Sequence, residues 1–370
     1  MLFGSRVNHG TFNSRHTAFI DTLDDDCLLH IFLSLSAILL GYGDDSACFK
    51  GTVGDAWWYK LIHVCQRWRI VIFLSASYLS LSLVCTKGTP VADMLAHSPP
   101  LPLVIDYIQE YHGIPAEDEQ RAILALKQRD RVRRISLELS IANLQKLLVI
   151  IKEEYPNLEH LTIRHQIKDN RTFLTLPETL EAPHLRHLTL VNFALPIGFR
   201  LLATAVHLVT LCPTMNSPST HFHPNSLLQW LSSMPQLETL MISFIIPARV
   251  RDEETQLMHP SVMTPVTLPN LRYFWFQGHG SYLEALVKQI TPCPEQLGIR
   301  LSNECTFCFS RLAQFINSAK NLKFETVKFK FSGLRVTVEV YPMGRPRYVP
   351  FPWISAAGIL TGRYLGWKNF

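Results

Sequence analysis

Between Ile20 and Phe32 the chain reads IDTLDDDCLLHIF, and Leu23, Leu28, Ile31, Phe32 and Leu35 recur at helical spacing. Asp24, Asp25 and Asp26 stand where that helix begins, beside its unpaired N–H groups and the positive end of its dipole. A second helical stripe, Leu61, Val64, Cys65, Trp68 and Val71, runs through KLIHVCQRWRIV, with Arg67 and Arg69 flanking Trp68. From Tyr78 onward the pattern turns to short alternating strands. They are predicted at Leu79–Val84, Leu103–Tyr107, Val132–Leu139, Leu158–Ile163, Leu185–Leu190, Leu208–Leu211, Leu237–Ile242, Leu271–Phe276, Leu297–Leu301 and Leu322–Phe329. Their starts lie roughly 23 to 30 residues apart, with some scatter, which is the period of a leucine-rich repeat.

Four of these segments share a sharper form, P-x-L-x-x-L-x-Φ with Φ apolar, opening at Pro156, Pro183, Pro235 and Pro269. The Pro ends whatever helix precedes it, because its ring cannot continue the hydrogen-bond ladder. The first Leu turns inward as the chain enters the strand, and the next two apolar residues alternate inward along it. The residues between them point to the opposite, exposed face. On that face the pattern predicts a target-binding surface: Glu159, His160, Thr162, Arg186, His187, Thr189, Glu238, Thr239, Met241, Arg272, Tyr273 and Trp275. Arg, Tyr and Trp are the residues that dominate binding hot spots. Between the strands, helices are predicted at Pro115–Gln128, Ile141–Ile151, Ser226–Ser232 and Tyr282–Ile290, and a charged, Pro-bounded insertion at Ile245–Pro265.

This gives four regions: a polar tail at 1–19, a helical module at 20–75 with an inserted loop at about 37–56, repeats at 76–330, and an irregular Gly- and Pro-rich segment at 331–370. Apolar residues make up 47% of the 370 and charged residues 18%, so a sizeable core is available and disorder is not expected. The net charge of +5 is mild, and the one basic cluster, Arg129–Arg134, fits a solvated corner better than a nucleic-acid site. The eight cysteines are scattered, and the first 20 residues lack an apolar signal core, so the thiols are expected reduced and the protein cytoplasmic or nuclear. The apolar run Ile70–Cys85 is too short for a membrane span and holds four serines; it reads as a helix end running into a buried strand.

Catalytic signatures are missing from the sequence. Gly41-Tyr42-Gly43 lacks the third glycine of a nucleotide loop, and neither a phosphate-binding G-x-x-x-x-G-K-[ST] nor a G-x-S-x-G elbow occurs. Cys305 and Cys308 form a lone C-x-x-C without the second pair a structural zinc site requires. No catalysis, metal or cofactor is therefore expected.

The two N-terminal segments resemble an F-box, the helical module that docks onto the adaptor subunit of SCF-type ubiquitin ligases. The resemblance is carried by Leu23, Leu28, Ile31 and Phe32 and then by Val64-Cys65-Gln66-Arg67-Trp68-Arg69, with Asp24 where the family has Pro. Joined to leucine-rich-type repeats, the module resembles a class of F-box proteins abundant in mushroom-forming fungi. Trp57-Trp58-Tyr59-Lys60-Leu61, Ser82-Leu83-Val84-Cys85, Gly88–Leu95 and Pro99–Tyr107 add to it. The resemblance implies an α/β leucine-rich-repeat-type solenoid with a short helical F-box-like module. It implies the adaptor and cullin subunits as partners and a protein target on the repeats. Adaptor contact would fall to Leu23, Leu28, Ile31, Phe32, Val64 and Trp68, with Leu28, Ile31, Phe32 and Trp68 exposed together.

Overall fold

The computed structural model describes residues 23–40, 57–108, 114–165, 174–195, 199–215, 222–244, 265–291, 296–302, 324–332 and 335–342. The chain divides into two compact units, Met1–Leu81 and Ser82–Phe370. The division falls a few residues beyond the predicted boundary at 75/76.

In the first unit, α1 (Asp25–Leu40) packs against α2 (Gln66–Leu74), and a 3-10 helix (Trp57–His63) packs on both. The helix start follows from the acidic run: Asp24 Oδ1 accepts from the Cys27 N–H at 2.7 Å, and that bond holds the Asp24 carboxyl below the usual carboxylate range. The second stripe is not one helix. The chain leaves the 3-10 helix at Val64, and Cys65 is extended (φ −157°, ψ 168°) before α2 begins. Val64 is therefore outside any helix, and only Trp68 and Val71 of the predicted stripe lie on α2.

The second unit is mixed α/β, built on an eleven-stranded sheet. Nine strands run parallel and neighbour one another in chain order: β1 (Leu83–Cys85), β2 (Leu103–Tyr107), β3 (Val132–Leu139), β4 (His160–His165), β6 (His187–Val191), β8 (Thr210–Met215), β9 (Thr239–Phe244), β11 (Tyr273–Gly278) and β13 (Gln296–Ser302). Between them, two-residue strands form two small parallel pairs: β5 (Leu174–Thr175) with β7 (Phe193–Ala194), and β10 (Val266–Thr267) with β12 (Ile290–Thr291). The crossovers also carry α3 (Val91–His97), α4 (Ala116–Leu126), α5 (Ile141–Ile150), α6 (Arg200–Thr204), α7 (Pro224–Ser232) and α8 (Gly280–Val287). The sheet ends in an antiparallel hairpin, β14 (Phe324–Ser332) and β15 (Arg335–Pro342), with β15 paired to β13. The predicted strand Leu322–Phe329 is thus not another parallel rung, and part of the expected irregular tail is strand.

Leu161, Leu188, Leu211 and Leu240 are register partners across four strands and form one buried layer, as the repeat pattern predicts. The strands begin about two residues later than the pattern suggested. The first Leu of each motif lies in the entering turn: Leu158, Leu185, Leu208, Leu237 and Leu271 each donate their N–H three residues back. They are buried nonetheless, because that turn tucks the side chain beneath the strand.

Candidate functional site

The first candidate surface is on the helical unit. Leu28 and Phe32 are each 0% exposed, and the Phe32 ring meets Trp68 edge-on at 5.1 Å. Trp68 is half-buried. The expectation that Leu28, Ile31, Phe32 and Trp68 stand exposed together is therefore corrected. Leu28 and Phe32 are consumed by the contact that holds α1 and α2 together; of the three expected on α1, Ile31 alone, at 40% exposure, faces out. Leu23 is partly exposed, and its carbonyl accepts from the Arg67 guanidinium, which also bonds Asp25 at 2.8 Å. Arg69 Nε donates to the Ile62 carbonyl at 3.1 Å. The two arginines beside Trp68 thus fasten α2 to the start of α1 and to the 3-10 helix.

What remains outside is apolar to an unusual degree. Of the nine exposed large hydrophobic residues identified among the described ones, seven belong to this unit: Ile31, Ile38, Tyr59, Val64, Ile70, Leu74 and Tyr78. Ile31 and Ile38 lie two turns apart on α1, and Ile70 and Leu74 one turn apart on α2, so each helix presents a stripe to solvent. Leu74 is 81% exposed. Sequence reasoning missed Ile38, Ile70 and Leu74, although their spacing from Ile31 and Val71 was readable.

The second candidate surface is the polar face and strand-entry edge of the sheet. His160, His187, Thr210, Thr239 and Tyr273 are register partners across five strands. One residue earlier comes Glu159, Arg186, Val209, Glu238 and Arg272. The carbonyls of Glu159, Arg186, Val209 and Glu238 each accept two N–H groups from the next rung, at 2.8–3.0 Å, and this fixes the stagger between rungs. The predicted Glu159, Arg186, His187, Glu238, Arg272 and Tyr273 are therefore brought together on adjacent rungs.

Trp275 is not part of that exposed set. It is 6% exposed, and its ring occupies the space where a Cβ on Gly298 would come within 2.1 Å of Trp275 Cε3. Arg300 lies over the ring at 6.0 Å. The insertion at Ile245–Pro265 expected beside it lies outside the described residues except for Pro265.

His160 and His187 are half-buried on this face. His160 and His187 stack at 4.4 Å between centroids, with planes 3° apart. Burial, then the neighbouring His187, Arg134, Arg133 and Arg186, pushes His160 down to about 3; burial also lowers His187. Both rings are neutral at pH 7. One turn upstream His184 and His207 stack at 6.0 Å. These are tip residues of successive entering turns, a place also held by Asn157, Gln236 and Asn270. That repeated polar tip was the signal available in the sequence.

Towards the first strands the polar face is buried. Arg164 and Glu138 face each other at 3.5 Å, both almost fully covered, and Asp106 and Ser136 are buried nearby in register. Asn192, at φ 69°, turns the chain between β6 and β7; its Nδ2 donates to the His165 carbonyl at 2.9 Å. Asn is among the few residues that tolerate this left-handed conformation. Among the described residues no group of three or more His, Cys, Asp or Glu could hold a metal ion, and no helix is long and apolar enough to cross a membrane. The C-x-x-C at Cys305–Cys308 lies outside the described residues. No protein-family model matches the chain, and no curated protein matches it.

Proposed function

We propose that this chain is the substrate-recruiting subunit of an SCF-type ubiquitin ligase. In this reading residues 23–81 are a divergent F-box that docks on the adaptor, and the parallel rungs are leucine-rich-type repeats, forming an α/β solenoid that holds a protein target. The chain carries out no chemistry itself; it raises the effective concentration of the target near the transfer machinery.

The observation that carries the reading is the clustering of Ile31, Ile38, Tyr59, Val64, Ile70, Leu74 and Tyr78 on one small helical unit. Exposed apolar area of this kind marks an interface. The burial of Leu28 and Phe32 favours a second reading, in which the module has lost adaptor docking and the chain is a protein-binding scaffold.

Co-purification with adaptor and cullin separates the two. In the first reading, wild type captures the adaptor. Ile31→Asp with Leu74→Asp then weakens capture at least tenfold while circular dichroism is unchanged, since both side chains lie outside the core. Absence of capture by correctly folded wild type would leave the scaffold reading.

A further inference from the structure

We infer that the strand-entry edge of the sheet is a binding groove for an extended acidic peptide segment, laid across the rungs and anchored on Arg186. This deepens the target-binding half of the proposed function and rests on it only for the identity of the partner as a protein; it needs no adaptor docking.

A groove of about 620 Å³ runs along this edge, lined among others by Arg131, Arg133, Glu159, His184, Arg186 and His207. A pocket of this size lies within the range of ligand sites. Three guanidinium groups face two carboxylates there, Glu159 and Asp130, so the arginines outnumber the acids by one (three minus two).

The cations are not equivalent. Arg131 donates to the carbonyls of Leu101 and Pro99 at 3.1 and 3.3 Å. Arg133 pairs with Glu159 at 2.9 Å. Arg186 sits one rung further along, and its backbone alone is committed: its N–H donates to Glu159 and its carbonyl accepts from Val209 and Thr210. Among the described residues its exposed guanidinium has no carboxylate or carbonyl partner. A guanidinium is a two-pronged donor matched to a carboxylate or phosphate.

The geometry favours a chain over a compact anion. Neighbouring strands are about 4.8 Å apart, so the turn tips Asn157, His184, His207 and Gln236 offer one planar polar side chain per rung along the groove. The stacked His184 and His207 keep their ring edges in a row. An extended peptide advances about 3.3 Å per residue, so about three of its residues span two rungs and its backbone polar groups pass along the row of turn tips, while a carboxylate on it meets Arg186.

The test uses the full chain and fluorescein-labelled hexaglutamate, followed by anisotropy at low salt, with hexalysine and inorganic phosphate as comparison arms. The expected result is saturable binding of hexaglutamate and none of hexalysine. Arg186→Glu lowers the affinity at least tenfold, and His184→Ala with His207→Ala lowers it severalfold. Glu159→Gln raises it, because it removes a competing carboxylate and releases Arg133. Thermal unfolding of each variant confirms the fold. Phosphate at a matched total negative charge leaves hexaglutamate bound. Unchanged affinity in Arg186→Glu, or weaker binding in Glu159→Gln, overturns the inference. Full displacement by phosphate overturns it in favour of a small-anion site. If the groove behaves as expected while no adaptor is captured, the acidic-segment site stands and only the ligase assignment fails.

Discussion

At the level of single residues, burial decides role. Phe32 and Ile31 are neighbours in sequence and equally apolar, yet one closes the core of the helical unit and the other faces solvent. A substitution at Phe32 therefore reports on folding, and one at Ile31 tests the proposed docking without disturbing the core. Phe32→Ala empties the space against Trp68 and is expected to cost about 3–5 kcal/mol, measured as a fall in the urea midpoint of the first unit. Ile31→Ala should cost less than about 1 kcal/mol by the same measurement. Gly298 shows the same logic in reverse: it is small because Trp275 fills the space above it.

Individual elements owe their ends to local chemistry. Ser140 caps α5 by accepting from the Asn143 N–H, and the Asn143 amide donates to Glu119 of α4 at 2.9 Å. Lys146 adds a second contact to the same carboxylate. Ser140→Ala should remove the cap and cost about 1 kcal/mol in chemical denaturation, and it should also loosen the link between α4 and α5. Asp118 plays a comparable part at the start of α4, where it accepts from the Gly88 N–H at 2.9 Å and pairs with Arg121 at 2.7 Å. Gly88 holds φ +76°, a conformation that a side chain at this turn would strain.

At the scale of the whole molecule, the stacked histidine pair contributes to the response to pH. His160 is driven down to about 3 in the fold, whereas an unfolded histidine titrates near 6.5. Between these values the unfolded chain binds more protons than the native one, so stability rises with pH through this window and is lost as pH falls below about 6.5. His187 acts in the same direction. The charges facing the pair are Arg133, Arg134 and Arg186, with Glu159 and Glu238 opposing them on His187. The denaturant midpoint of the second unit should therefore fall from pH 7 to pH 5. His160→Gln should flatten that slope, and an unchanged slope would show that His160 takes up its proton in the native state as readily as in the unfolded one.

The sequence alone determined the repeated rungs, since each P-x-L-x-x-L-x-Φ motif states locally which side chains turn inward, and the buried layer through Leu161, Leu188 and Leu240 follows from that spacing. It also located the helical segment at the N-terminus and the acidic start of α1. Tertiary structure decided what spacing cannot encode. A helical stripe does not say how much of its width a partner helix covers, so Leu28 and Phe32 went inside while Ile38 and Leu74 stayed out. Strand alternation assigned Trp275 to the polar face but could not foresee that Gly298 on the next strand leaves room for the ring to lie down. The reversal at β14 and β15 depends on pairing between distant segments, which no local period records. The groove at the strand-entry edge exists only because turn tips from separate repeats, His184 and His207 among them, are stacked side by side by the sheet.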